Sequence, residues 1–166
     1  VIGGGDFAEH RIIPDAVRAA YEGVPIRVRR PHSTRPYQHV LEPLYAYLLI
    51  AQVQYKDGSY ADAYNVGPDD ADCVTTGALM NLFCRLWGAG QVWEDASTEG
   101  PHEAQFLRLD CAKMRNTFDW LPRWHIDTAV EKTIAWAKAW RRGADISALM
   151  RAQIEEFLSA DREGAE

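Results

Sequence analysis

Between Ile26 and His39 the sequence Ile-Arg-Val-Arg-Arg-Pro-His-Ser-Thr-Arg-Pro-Tyr-Gln-His gathers four arginines, Arg27, Arg29, Arg30 and Arg35, with two histidines and no acidic residue. The chain around it is acidic, with a formal net charge of -6. A guanidinium is a planar, permanently charged fork that suits phosphate and carboxylate, so this cluster points to a small anionic ligand. Taken alone it reads equally as a solvated edge strand. Two further stretches carry binding chemistry: the Asn65-Val66-Gly67-Pro68 loop and Pro101-His102-Glu103, where His102 can bond a phosphate or hydroxyl or simply be solvated. His39 reads as satisfying a buried hydrogen bond rather than as a ligand.

Catalytic patterns are missing. No Gly-x-Ser-x-Gly elbow surrounds Ser33, Ser59, Ser97 or Ser147. Gly3-Gly4-Gly5 follows an apparent strand, but Phe7 and Ala8 stand where the last glycine of a dinucleotide loop would fall. Cys73, Cys84 and Cys111 form no C-x-x-C pair and have no histidine at ligand spacing, so they read as buried free thiols in a reducing cytoplasm, with neither metal nor disulfide. A pI near 5.4 argues against nucleic acid, whose backbone needs a broad basic face. The most apolar stretch, Leu41 to Val53, is interrupted by Glu42, Pro43 and Gln52, which suits a buried helix and not a membrane span of roughly 18 residues or more.

Val1-Ile2 reads as the end of a strand running into the glycines. Pro14-Asp15 opens a helix that stops at Gly23. Ile26 to Arg29 alternates, so as a strand it places Ile26 and Val28 on one face and Arg27 and Arg29 on the other. Tyr37 to Val40 is extended, and Glu42-Pro43 begins a helix to about Tyr55. Ala63 to Val66, Gln91 to Glu94 and Phe106 to Leu109 read as short strands. Thr75 or Thr76 caps a helix to Gly88, Asp110 caps Cys111 to Phe118, and Asp127 or Thr128 caps a helix to Gly143. A last amphipathic helix runs from Ile146 to Leu158, and the tryptophans near this end read as core packing. At 166 residues the chain can bury a core of its own.

One ordered series of motifs is more specific than any of these. It comprises Val1-Ile2-Gly3-Gly4-Gly5-Asp6-Phe7, Arg11-Ile12-Ile13-Pro14-Asp15, Pro31-His32-Ser33-Thr34-Arg35-Pro36-Tyr37-Gln38-His39-Val40-Leu41-Glu42-Pro43-Leu44, Tyr64-Asn65-Val66-Gly67-Pro68, Pro101-His102-Glu103-Ala104, Leu109-Asp110-Cys111-Ala112-Lys113 and Trp120-Leu121-Pro122-Arg123-Trp124. Together they resemble the CDP-glucose 4,6-dehydratases, a branch of the extended short-chain dehydrogenase/reductases, and they cover nearly the whole chain. The resemblance implies an α/β fold and the carboxyl-terminal half of a longer enzyme. Residues 1–5, 37–55 and 63–67 would belong to the Rossmann sheet layer, and residues 10–36 and 69–166 to a smaller mixed α/β nucleotide-sugar-binding domain. It implies NAD, held mainly by an amino-terminal half, a cytoplasmic homo-oligomer, and conversion of CDP-glucose to CDP-4-keto-6-deoxyglucose and water, a precursor of cell-surface polysaccharide such as O-antigen. Another epimerase or decarboxylase of the same extended family, or a non-catalytic CDP-binding fragment, are the alternatives. No catalytic, cofactor-binding or metal residue carries over.

By the same resemblance Arg35 matches a diphosphate anchor, Ile26 and Val28 fall on the strand along the base, and Arg11, Ile12 and Ile13 approach the nucleotide. Asn65, His102 and Glu103 border the pocket. Related thymidine-diphosphosugar enzymes place a second diphosphate arginine where Gly100 stands here, so His102, Arg29 and Arg108 are all open as the second anchor. A piece cut from a parallel sheet would also expose apolar surface, implying poor solubility, self-association or a missing partner segment.

Overall fold

A computed structural model describes residues 1–97 and 105–160. Helix α1, Ile12–Glu22, buries Ile13, Pro14 and Ala16 and ends where Gly23 takes up φ 67° and returns its N–H to Ala19 O. That left-handed position suits glycine because no Cβ opposes it. Strand β1, Ile26–Val28, follows with Ile26 and Val28 buried and Arg27 exposed, as the alternation requires. After a turn, strand β2, Thr34–Pro36, leads through an extended segment into helix α2, Leu41–Lys56. Strand β3, Cys73–Thr75, runs antiparallel to β2, with Arg35 opposite Val74.

Thr75 then caps helix α3, Thr76–Trp87, through the Ala78 N–H, and Gly88 ends it. Leu79, Met80 and Phe83 on α3 are fully buried and form the centre of the larger hydrophobic cluster with Ile26, Val28, Ala129 and Val130. Each such side chain contributes on the order of 2 to 3 kcal/mol by leaving water. Strand β4, Trp93–Asp95, pairs in parallel with β1 in the register Ile26 to Trp93 and Val28 to Asp95. Helices α4, Ala112–Phe118, α5, Ile126–Arg141, and α6, Ile146–Ser159, complete the chain. A second cluster joins Ala46 of α2 to Met114, Phe118 and Trp120. Mixed α/β architecture is thus borne out, and no described helix is long and apolar enough to cross a membrane.

Several local expectations change. Val1-Ile2 contributes one parallel bridge, Ile2 to His39, closed by Ile2 N–H to Gln38 O and Val40 N–H to Ile2 O. Phe106 likewise makes a single bridge to Thr34. Ala63 to Val66 is not a strand; its polar groups turn to side chains, with Gln38 Nε2 donating to Val66 O. The N-terminus of α5 is not capped by Asp127 or Thr128. Asp72, 3% exposed, reaches it from the 70–72 turn, with Oδ1 accepting from Ile126 N–H at 2.9 Å and Oδ2 2.8 Å from His125 Nδ1. Local sequence contains a plausible cap, but a more buried carboxylate arriving through the fold displaces it.

Glu42 explains the pairing of two distant motifs. Its side chain is 0% exposed, and Oε1 accepts from both Arg123 N–H and Trp124 N–H at 2.8 Å. The Glu42-Pro43 start of α2 and the Pro122-Arg123-Trp124 break are therefore one contact. Burial pushes the Glu42 carboxyl up to about 7, against the pull of those two N–H groups and Arg123. Next to it, His39 packs edge-on to Trp124 with ring centroids 4.9 Å apart. Burial and the Lys132 charge lower its pKa to about 4.

Candidate functional site

The residues singled out by sequence fall into three places. Arg11 is the exposed residue preceding α1, ion-paired to Asp6 at 3.2 Å. With Ile12, Ile13 and Tyr37 it lines a cavity of about 280 Å³. Because the first N–H groups of a helix have no intrahelical partners, the start of α1 offers donors beside the Arg11 charge. Tyr37 is held by a chain of bonds: its hydroxyl lies 3.2 Å from Thr76 Oγ1, which donates to Ser33 O. Burial raises the Tyr37 hydroxyl, while the Thr76 bond and the nearby Arg35 charge lower it.

Arg35 itself is half-buried in the middle of β2, two residues from that cavity wall, with Nη1 donating to Thr34 O at 2.9 Å. The β2–β3 ladder and the Tyr37 chain fix its backbone. Ile26 and Val28 are each 1% exposed, so their side chains belong to the core, and Ile26 also borders the groove beside β1. The opposite face of β1 is the open one: Arg27 and Arg29 border a groove of about 460 Å³ together with His10, Asp15 and Glu22. Arg27 is tied to Glu94 at 3.3 Å.

Asn65 stands apart from both. Its Nδ2 donates to Asp110 O at 3.0 Å, and the adjoining Gly67 is packed so closely that a Cβ there would lie 3.0 Å from Leu109 Cδ1. Of the three open diphosphate anchors, Arg108 is engaged with Asp70 at 3.1 Å and lies over the Phe106 ring, Arg29 borders the groove, and His102 lies outside the described residues, as does Glu103. Tyr37, His10 and Glu22 were not marked by sequence reasoning, because nothing in their local pattern distinguishes a wall residue from an ordinary strand or helix residue.

The glycine run has a packing cause. Gly5 sits at φ 83°, but a Cβ on Gly4 would stand 2.0 Å from Trp136 Cγ. Trp136 lies against this loop and, with the glycines themselves, Phe7 and Trp140, walls a cleft of about 480 Å³. The glycines therefore seat an indole and do not open a phosphate cradle. Trp120 and Trp124 are core residues, whereas Trp140 is 47% exposed. All three cysteines are free thiols, Cys111 buried and the others half-buried. Among the described residues no group of histidines, cysteines and acids is placed to hold a metal.

This arrangement of short parallel and antiparallel pairs under helices is shared with part of the fold of solved sugar-nucleotide dehydratases and epimerases. Dehydratases and epimerases superpose on it: the NAD complex of Bacillus anthracis dTDP-glucose 4,6-dehydratase has a TM-score of 0.69 and 20% identity, over 90% of this chain and 45% of that one. A UDP-glucose 4-epimerase has a TM-score of 0.72 and 19% identity, over 87% of this chain and 45% of its own. In sequence the particular relative is the CDP-glucose 4,6-dehydratase of Salmonella typhimurium, 38% identical over 161 residues. That match takes in 96% of this chain and 45% of the relative, so the chain spans about half the length of the curated relative it matches. The resemblance read from the motifs is borne out. No family model matches the chain.

Proposed function

We propose that this chain is the carboxyl-terminal, nucleotide-sugar-binding half of a CDP-glucose 4,6-dehydratase. The observation that carries the reading is the 38% identity across 96% of the chain to a dehydratase of that name. The geometry is compatible with it: a cavity of about 280 Å³ at the start of α1 joins a guanidinium, free helical N–H donors and the Tyr37 edge. Arg35 would hold the diphosphate, and Arg11, Ile12 and Ile13 the nucleotide. Residues 1–5, 37–55 and 63–67 would lie against the Rossmann layer, with residues 10–36 and 69–166 forming the sugar-nucleotide side.

NAD is the cofactor this reading requires, and the glycines present do not fit it, because Trp136 fills the space a dinucleotide loop would leave open. Its binding would fall to an amino-terminal half, which would also supply the catalytic residues. Free thiols and an acidic surface suit a cytoplasmic homo-oligomer making a deoxysugar precursor of polysaccharide such as O-antigen.

A polypeptide joining this chain to an amino-terminal dinucleotide-binding half should turn CDP-glucose into a nucleotide sugar lighter by one water, detected by mass spectrometry. An unchanged mass with inverted stereochemistry would instead make it an epimerase, and loss of carbon dioxide from a glucuronate substrate a decarboxylase. Titration calorimetry should show preference for CDP over dTDP, and equal affinities would sink the CDP assignment.

A further inference from the structure

Resting on that reading, we propose that Asp6 is a positioning residue, which holds the Arg11 side chain at the wall of the cavity beside α1 so that its guanidinium meets a nucleotide phosphate already in place. Arg11 needs such a support. Its backbone is fixed at the start of the helix, with the carbonyl accepting from Asp15 N–H at 2.9 Å, but its side chain is 66% exposed. An arginine left free in solvent samples many rotamers, and the freedom it loses on meeting a ligand counts against affinity.

Asp6 is placed to supply the restraint. Its Oδ1 accepts from Ala8 N–H at 3.0 Å, which closes a tight turn, and its Oδ2 accepts from Arg11 Nη1 at 3.2 Å. Left-handed backbone at Gly5 and His10, φ 83° and 63°, brackets the turn and lets residues five apart meet. The same turn is tied to the helix that Arg11 precedes, because Arg18 of α1 donates to Phe7 O and to Ala8 O, each at 3.2 Å. The Phe7 ring also packs on Trp140, with centroids 4.8 Å apart. Turn and helix start thus form one closed unit, and Asp6 and Arg11 both line the cavity of about 280 Å³.

The contact leaves most of the guanidinium open. Of its five N–H donors Asp6 takes one, on Nη1. No other hydrogen bond or ion pair holds Arg11 among the described residues, so Nε and Nη2 remain for the paired bonds that an arginine makes to phosphate. Two effects of the carboxylate then have opposite signs. As a charge, Asp6 repels an anion bound beside it, so removing that charge alone would tighten binding. As a support for Arg11 it strengthens binding, so its removal weakens it.

Calorimetric titration with CDP of the wild-type chain, Asp6→Asn, Arg11→Ala and the double variant, each first checked by thermal melting, separates the two. Asparagine keeps an oxygen for the Ala8 N–H but lacks the charge that holds Arg11. Arg11→Ala should weaken CDP by about tenfold or more, as loss of a charged hydrogen bond does. Asp6→Asn should weaken it by about three- to fivefold, the scale of an exposed ion pair. The double variant should bind no more weakly than Arg11→Ala alone, a lack of additivity that a purely structural effect on the turn would not produce. Tighter or unchanged binding by Asp6→Asn would leave the carboxylate acting as a charge or not at all, overturning the positioning role while the CDP-sugar reading stands. Equal weakening by Asp6→Asn with and without Arg11 would assign Asp6 to the turn alone and overturn it likewise. Unchanged binding by Arg11→Ala would show that Arg11 meets no ligand and needs no positioning. If wild type does not bind CDP, the reading and the proposal fall together.

Discussion

Replacing Glu42 with Gln should expose a pH dependence that the wild-type chain conceals. In the folded chain the Glu42 carboxyl titrates at about 7 in place of 4.5, because it is buried near Asp69, with two backbone N–H groups and Arg123 opposing the shift. Between those values the folded state holds a proton that the unfolded state releases. Its contribution is fully present below pH 4.5 and is lost as pH rises toward 7. His39 acts in the other direction. Its pKa falls from 6.5 to about 4, so its contribution is present above pH 6.5 and is lost as pH falls toward 4. Each group alone would tilt stability by about 1.4 kcal/mol per pH unit, some 3 kcal/mol over its whole range. From pH 4.5 to 6.5 the two slopes oppose, and the wild-type contributions cancel to within about 1 kcal/mol. Glu42→Gln keeps an acceptor for Arg123 and Trp124 but cannot titrate. Urea unfolding at several pH values should then show the variant losing roughly 3 kcal/mol relative to wild type between pH 6.5 and 4.5. Other carboxylates are common to both proteins and drop out of the difference. A difference that stays constant across that interval would refute the buried-carboxyl account of Glu42.

Four other outcomes follow from the structure. Asp72→Ala removes the cap of α5 and should lower unfolding free energy by about 1 to 2 kcal/mol, measured by urea titration; an unchanged midpoint would show that His125 and water cap the helix equally well. Gly4→Ala must displace the Trp136 indole, since a Cβ would sit 2.0 Å from Cγ, and should cost about 1 to 3 kcal/mol and shift the tryptophan emission. Arg35→Lys should weaken CDP binding by about 1 to 3 kcal/mol if the contact is bidentate, and calorimetry that finds no change would take Arg35 out of the site. Finally, Leu44, Tyr47, Leu48 and Tyr55 lie exposed along one side of α2, up to 93% for Tyr55, while Ala46 packs inside. The chain alone should therefore self-associate in light scattering, and Leu48→Glu should reduce that association; a monomeric wild type would count against it.

Much of the fold could be read from one dimension because its causes are local. Gly23 and Gly88 end their helices and Thr75 begins one, each through contacts within four residues. The alternation of Ile26, Arg27 and Val28 gave the faces of β1 correctly, with Ile26 and Val28 packed into the larger cluster and Arg27 outside it. Elements that depend on remote partners were less visible. The β2–β3 ladder was missed since Thr34 to Pro36 and Cys73 to Thr75 are too short for a periodic signal, and Pro36 argues against a strand when read alone. The α5 cap and the Glu42 contact each bring together residues more than fifty positions apart. Site residues showed the same division, with Arg35 and Arg11 carried by motif and His10 and Glu22 apparent only as walls of a groove.

The parallel pairing of β1 with β4 also bears on how the chain is made. Gln91, at the approach to β4, donates to Val24, at the approach to β1, across 67 residues of sequence. At typical synthesis rates of about 5 to 20 residues per second, β1 would wait roughly 3 to 13 seconds on a ribosome before its partner emerged. During that interval Ile26 and Val28 lack the strand and α3 helix that later cover them. The arginines that interleave them carry a second value there, since a strand alternating charge with apolar residues is a poor template for pairing with neighbouring nascent chains.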